Sequence, residues 1–326
     1  MNEFIERYER YRNIIDRRLA TVIDRDEPVT MYEPARYVLS GGGKRIRPVL
    51  VMLACQAAGG DPMDAVEAGT AVEILHNFTL VHDDIMDRAD TRRGRETVHR
   101  KWDENIAILV GDELMGIAYK TLLNTERGDV RALTRVFTDG VIEVCEGQSY
   151  DKEFEALPSV TEEQYFMMIS KKTGWLVAIS AEMGAIIGGA DATQTAALVE
   201  YARCVGRAFQ VQDDLLDVVA DKEKLGKPIG GDILEGKKTF LLVHALNAAE
   251  GADRDLLRSV ATQTAGRDHL VERVTAVYDR LGVLDDARRN IEADTAAALR
   301  ALDELEDNEG RRMLAWLAHM LLERKH

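Results

Sequence analysis

With 326 residues, the chain is long enough for one or two domains, and an all-helical fold of that size can bury a single continuous core. Its 42 basic and 57 acidic side chains leave a formal net charge of −15, a field that repels nucleic acid and anionic membrane surfaces and excludes polyanion partners held by charge alone. A small phosphate-bearing molecule stays admissible, provided that metal ions neutralise local carboxylates and a few Lys and Arg converge on it.

The first ten residues are charged throughout and carry no apolar signal-peptide core, so a cytoplasmic location is expected. Stretches rich in Ala, Leu, Glu and Arg, with apolar residues at three- and four-residue steps as in Ala71, Ile74, Leu75, Phe78 and Val81, predict helices. These fall near 2–20, 32–40, 48–58, 64–88, 103–124, 130–150, 162–187, 193–220 and 238–249, with four shorter ones behind them. Pro28, Pro34, Pro48, Pro62, Pro158 and Pro228 are expected in loops or first helical turns, and no run alternates as a strand does. Short punctuation at 41–43, 59–62, 156–159 and 226–236 offers no flexible tether, so residues 1–326 read as one all-α domain, a large helical bundle. The most apolar stretch, 176–190, is broken by Glu182 and is shorter than the roughly 20 residues that span a bilayer, so no transmembrane segment is expected. Cys55, Cys145 and Cys204 have neither metal nor redox spacing and are expected as reduced core residues.

One pattern occurs twice, late in two long predicted helices: V-x-D-D-hydrophobic-hydrophobic-D at Val81–Asp87 and again at Val211–Asp217. Residues three and four apart share a helix face, so Asp83, Asp84 and Asp87 are expected to project as one carboxylate cluster, and Asp213, Asp214 and Asp217 as a second. Like charges at that spacing cost a few tenths of a kcal/mol per pair, a penalty that a bound cation reverses. Oxygen donors without His or Cys select Mg²⁺ or Mn²⁺. A single such cluster reads better as a solvated acidic face; two copies, each flanked by apolar residues, reverse that preference.

Cations supply the complementary half of a diphosphate site. Gly41-Gly42-Gly43-Lys44-Arg45-Ile46-Arg47-Pro48 sets three of them on a glycine-rich turn ahead of a helix, where backbone amides also face phosphate. It is not a P-loop, because Arg45 stands where Ser or Thr must follow the lysine. Arg92 and Arg93 follow the first aspartates, while Lys171, Lys172, Lys227, Lys237 and Lys238 lie in the second half of the chain. Each alone is ordinary surface charge.

Together, G-G-G-K-R-I-R-P, L-H-N-F-T-L-V-H-D-D-I-M-D-R-A-D-T-R-R-G, G-Q-S-Y-D at 147–151, K-K-T-G at 171–174, and F-Q-V-Q-D-D-L-L-D with G-K-P-I-G-G-D between 209 and 232 resemble the trans-isoprenyl diphosphate synthases. The motifs run in the family's order over about residues 40–240. The resemblance implies the isoprenoid-synthase fold, an all-α bundle around a central cavity, and a homodimer. It implies that Asp83 and Asp87 hold two Mg²⁺ ions and Asp213 a third, with Asp84, Asp214 and Asp217 in support. Arg92, Lys172, Lys227 and Lys237 would hold the allylic diphosphate, and Lys44, Arg47, His76 and Arg93 the diphosphate of isopentenyl diphosphate. Gln148, Asp151, Thr173, Gln210 and Asp232 would complete the shell.

Ionising an allylic C–O bond leaves a carbocation and pyrophosphate, so cations gathered on the leaving group lower the barrier where negative charge develops. Positioning the second substrate's double bond is the other large contribution. Thr173 and Gln210 oxygens are candidates for stabilising the cation. His76 and His82 also suggest a metal phosphohydrolase, but His82 fits a hydrogen-bonded helix residue better. Phe78 precedes Asp83 by five residues, about 7–8 Å along a helix. An aromatic there, beside the small Thr79, resembles the archaeal-type geranylgeranyl diphosphate synthases, so a C20 product is expected; with Met115 or Met167 narrowing the pocket, C15 is the alternative. A terpene cyclase would lack the Lys44, Arg47 and Arg93 set and the second D-D-x-x-D, and a non-catalytic partner subunit would have lost carboxylates or lysines.

Overall fold

In a computed structural model, residues 2–219 and 230–322 are described, and they form helices joined by short turns, with one two-stranded antiparallel hairpin among them. The chain divides into two compact units, the first 1–141, 179–199 and 304–316, the second 142–178, 200–303 and 317–326.

The first unit is built on α1 (Asn2–Thr21), α2 (Val29–Leu39), α3 (Ile46–Ala57), α4 (Val66–Met86), the short α5 (Val98–Lys101) and α6 (Glu104–Leu122), with the opening of α7 (Val130–Glu155). Tyr8, Tyr11, Ile15 and Leu19 place the buried stripe of α1 at helical spacing. Helix α4 is buried nearly all round and packs most extensively along α6. Their close approach needs Gly111, since a Cβ there would collide with the His82 ring. His82 Nε2 also lies 3.3 Å from the Ile108 carbonyl, the hydrogen-bonded structural role expected of it.

The second unit holds the end of α7, α8 (Glu162–Ile169), a π-helical turn (Ser170–Gly174) leading straight into α9 (Trp175–Gly188), of which it holds only the first turn, and the end of α10 (Ala192–Val219). Behind them come α11 (Gly231–Glu235), α12 (Phe240–Ala248), α13 (Gly251–Ala261), α14 (Leu270–Arg280) and α15 (Val283–Ala301); α16 (Glu309–Leu322) closes the described chain. A core of Tyr165, Met168, Val211, Leu215, Phe240, Leu242, Val274 and Tyr278 joins these helices. Helix α8 starts on a capping box, with Thr161 and Gln164 each satisfying the other's backbone N–H.

Three expectations are corrected. Pro34 lies inside α2, with its ring buried, not in a loop or first turn. Thr91–Arg92 pairs with Arg95–Glu96 where no strand is expected. These strands are only two residues long, too short for alternation to register. Cys145 is exposed, whereas Cys55 and Cys204 are buried. Among the described residues no helix is long and apolar enough to cross a membrane.

Candidate active site

In the first unit, the aspartates of the first motif close α4. Asp84 is buried and accepts a hydrogen bond from Arg92 Nε at 2.7 Å, while Asp83 is half-buried and Asp87, the C-cap residue, is exposed. The single cluster expected from spacing is therefore split: adjacent residues point about 100° apart on a helix, and the packing of α4 takes Asp84 inward. Burial raises the Asp84 carboxyl against the pull of Arg92. A helix C-terminus carries partial negative charge, and the last turn of α4 has no basic residue to offset it. The helix dipole therefore disfavours carboxylates placed there, and Arg92 offsets this for Asp84.

Arg92 and Arg93 sit on the hairpin. Arg93 and Gly94 form its two-residue loop with φ of 53° and 73°, the doubly left-handed backbone of a type I′ turn. Arg93 donates to the Gly42 carbonyl, so the hairpin is fastened to the glycine loop. Arg47 Nη1 donates to His76 Nε2 at 3.3 Å, and burial together with Arg47, Arg93 and Arg92 holds His76 neutral. Arg47, His76, Arg92 and Arg93 are thus brought together beside the turn that carries Lys44, whose backbone carbonyl accepts from Tyr8.

Arg45 departs from the expectation that it serves phosphate. Its side chain is only 2% exposed and bridges Glu73 at 2.6 Å and Asp16 at 2.8 Å, which ties α3 to α4 and α1. Thr79 Oγ1 returns its hydrogen to the His76 carbonyl at 2.8 Å, and Phe78 meets the His82 ring edge-on at 4.8 Å.

In the second unit, Asp214 is buried. It accepts from Tyr165 Oη at 2.7 Å, the Phe240 amide at 2.8 Å and Gln210 Nε2 at 3.0 Å, and burial pushes its carboxyl up to about 7. The middle aspartate here fastens α10 to α8 and to the first turn of α12. Asp213 is exposed, and Asp217, half-buried, accepts from the Asp232 amide at 3.1 Å.

The π turn presents Lys172 and Thr173. Lys172 Nζ reaches Asp151 at 2.5 Å and Thr173 Oγ1 donates to Gln210 Oε1 at 3.2 Å, so Asp151, Lys172, Thr173 and Gln210 form one neighbourhood. Gln148 is buried on the same stretch of α7. Lys171 pairs instead with Glu143 and Glu146. Gly147 lets α7 approach, since any Cβ would strike the backbone of Lys172. Neither the π turn nor this contact was predicted, although a glycine opening G-Q-S-Y-D was its one available sign. Lys237 lies 3.3 Å from Asp232 and 2.9 Å from Glu235. Its neighbour Lys238, expected among the site cations, turns into the core and donates to the Ala261 carbonyl at 2.5 Å. Lys227 lies outside the described residues.

Among the described residues no three His, Cys, Asp or Glu side chains gather as a metal-holding group. The donor set still fits Mg²⁺, which typically takes one or two carboxylates and completes its octahedron with water and substrate phosphate oxygens. Asp83, Asp87, Asp213 and Asp217 are hard donors of that kind.

The polyprenyl synthetase family model matches residues 28–278. A short chain isoprenyl diphosphate synthase of Methanothermobacter thermautotrophicus is 40% identical over 327 residues, covering 100% of both chains. A geranylgeranyl diphosphate synthase of Methanosarcina mazei is 37% identical over 96% of this chain and 95% of its own. The crystal structure of geranylgeranyl pyrophosphate synthetase from Pyrococcus horikoshii superposes with a TM-score of 0.94 at 38% identity, over 99% of each chain. The expected all-α isoprenoid-synthase fold is borne out. On these matches and the motifs they share, the chain belongs to the polyprenyl synthetase family.

Proposed function

We propose that residues 1–326 act as one Mg²⁺-dependent prenyltransferase domain, a cytoplasmic homodimer that condenses isopentenyl diphosphate head-to-tail with dimethylallyl, geranyl or farnesyl diphosphate to give geranylgeranyl diphosphate. The observation that carries this reading is the cluster of Arg47, His76 and Arg93 against the glycine loop, next to the Arg92–Asp84 pair. A cyclase handling one diphosphate has no use for that second cationic pocket. The names of the relatives support the C20 product.

Asp83 and Asp87 in the first motif and Asp213 and Asp217 in the second would hold Mg²⁺, which would supply positive charge to a departing pyrophosphate. The motifs assign Arg92, Lys172, Lys227 and Lys237 to the allylic diphosphate, and Lys44, Arg47, Arg93 and neutral His76 to the homoallylic one. With its hydrogen committed to Gln210, the Thr173 hydroxyl keeps its lone pairs for the allylic cation. No side-chain nucleophile takes part, and the departing pyrophosphate accepts the final proton. Phe78 limits the chain.

The test is an assay of the isolated protein with isopentenyl diphosphate, each allylic primer and Mg²⁺, with products read by mass spectrometry and a chelator control. All-trans C20 diphosphate that disappears with the chelator is expected. A cyclic hydrocarbon, or no turnover by the isolated protein, overturns the reading; a C15 end product corrects the length alone.

A further inference from the structure

Tyr37 is absent from every motif above, yet it stands under the hairpin that carries Arg92 and Arg93. Its hydroxyl donates to the Glu96 carbonyl at 2.9 Å. Its ring has the Arg95 guanidinium at 3.8 Å and the Lys101 ammonium at 4.1 Å from the centroid, with Trp102 packed edge-on at 5.2 Å. Arg95 also reaches Ser40 Oγ at 3.3 Å.

A two-stranded hairpin is marginal in water on its own, and this one has only two residues per strand. Something outside it must fix its position. On its inner side Arg92 is tied to Asp84, and its tip is tied to the Gly42 carbonyl through Arg93, but both groups are the ones the reaction needs on diphosphate. Ties made through substrate-binding cations loosen when those cations turn to substrate. Tyr37 and Arg95 make a fastening that does not involve them. Arg95 is the register partner of Arg92, so holding one strand holds the other.

We propose that Tyr37, through its stack with Arg95 and Lys101, is a positioning residue that keeps the Arg92–Arg93 hairpin in register for diphosphate. The inference rests on the prenyltransferase reading for its substrate and on the local geometry for its mechanism. A cation held against an aromatic face is stabilised without being neutralised, so the stack secures the hairpin while leaving its electrostatic field on the site intact. An acidic partner for Arg95 would fix it as well, but would subtract charge from the place where a diphosphate must bind.

The experiment compares Tyr37→Leu, Tyr37→Phe and Arg95→Gln with the full-length wild type in two measurements. The first is steady-state kinetics with isopentenyl diphosphate varied; the second is calorimetric binding of inorganic pyrophosphate. Tyr37→Leu and Arg95→Gln are expected to raise KM and weaken pyrophosphate binding by about tenfold, with kcat nearly unchanged, and Tyr37→Phe, which keeps the ring, to stay within about threefold of wild type. Unchanged pyrophosphate affinity in Tyr37→Leu, a loss confined to kcat, or a Tyr37→Phe as impaired as Tyr37→Leu overturns the proposal. Should the wild type fail to turn over, the functional reading fails, while the pyrophosphate series still decides the role of Tyr37.

Discussion

Replacing Arg93 with Asn should make the protein more stable and a poorer catalyst. Arg93 occupies the first central position of a type I′ turn at φ 53°, a backbone that Asn adopts readily and that a long side chain adopts at a cost of about 1–2 kcal/mol. Burial, with Arg45 and Arg92 nearby, also holds its guanidinium below the usual range, so the fold is working against its charge. Opposing these are one hydrogen bond to the Gly42 carbonyl, worth about 1 kcal/mol, and the attraction of Glu73 and Asp84. The balance favours Asn by at most about 1 kcal/mol, which for a chain of this length raises the melting temperature by at most about 2 °C. Scanning calorimetry of both proteins, run with kinetics in isopentenyl diphosphate, checks the pair of outcomes. A lower melting temperature for Arg93→Asn refutes the claim that this turn stores strain for the sake of its arginine. An unchanged KM refutes the role assigned to the arginine itself.

Phe78→Ala should lengthen the products, read by mass spectrometry of the prenyl alcohols; an unaltered distribution rejects Phe78 as the floor. Arg45→Met leaves Glu73 buried without its cation and should cost about 3–5 kcal/mol of stability in urea denaturation, although Arg45 touches no substrate in the proposed reaction. Gly147→Ala forces α7 off the π turn and should lower kcat at least as much as it lowers stability, because Lys172 and Thr173 move with that backbone. Asp214 has a folded pKa of about 7, above its ordinary 3.8, so its contribution to stability is complete below pH 3.8 and is lost as pH rises through 7. Asp214→Asn should therefore flatten the fall in melting temperature of the metal-free protein over that window.

Helix positions were legible because apolar residues at three- and four-residue steps survive in one-dimensional form, and the long helices α1, α4, α6 and α10 lie where periodicity puts them. What side chains do at those positions was less so. Periodicity says that Asp83 and Asp84 lie on one helix; which of the two enters the core depends on Arg92, eight residues on, and on the packing of α4. The same holds for Arg45 and Lys238, which were counted with the site cations. Their partners, Glu73 and the Ala261 carbonyl, are distant in sequence and carry no mark of the pairing. The hairpin at 91–96 could have been noticed from Arg93-Gly94 alone only by accepting arginine where Asn or Gly is the usual choice. Its exception to turn preference falls on a residue assigned to substrate.

The π turn at 170–174 holds its carbonyls five residues from their donors instead of four, which amounts to one residue more than a regular helix would accommodate. Deleting any single residue there would leave a continuous, well-formed helix from 162 to 188, invisible to circular dichroism. It would nevertheless turn everything before the deletion by about 100° relative to everything after it. The reading frame of side-chain directions along this rod is thus set by one surplus residue, and length variation at this point would swing Tyr165 away from Asp214 while sparing the rod itself.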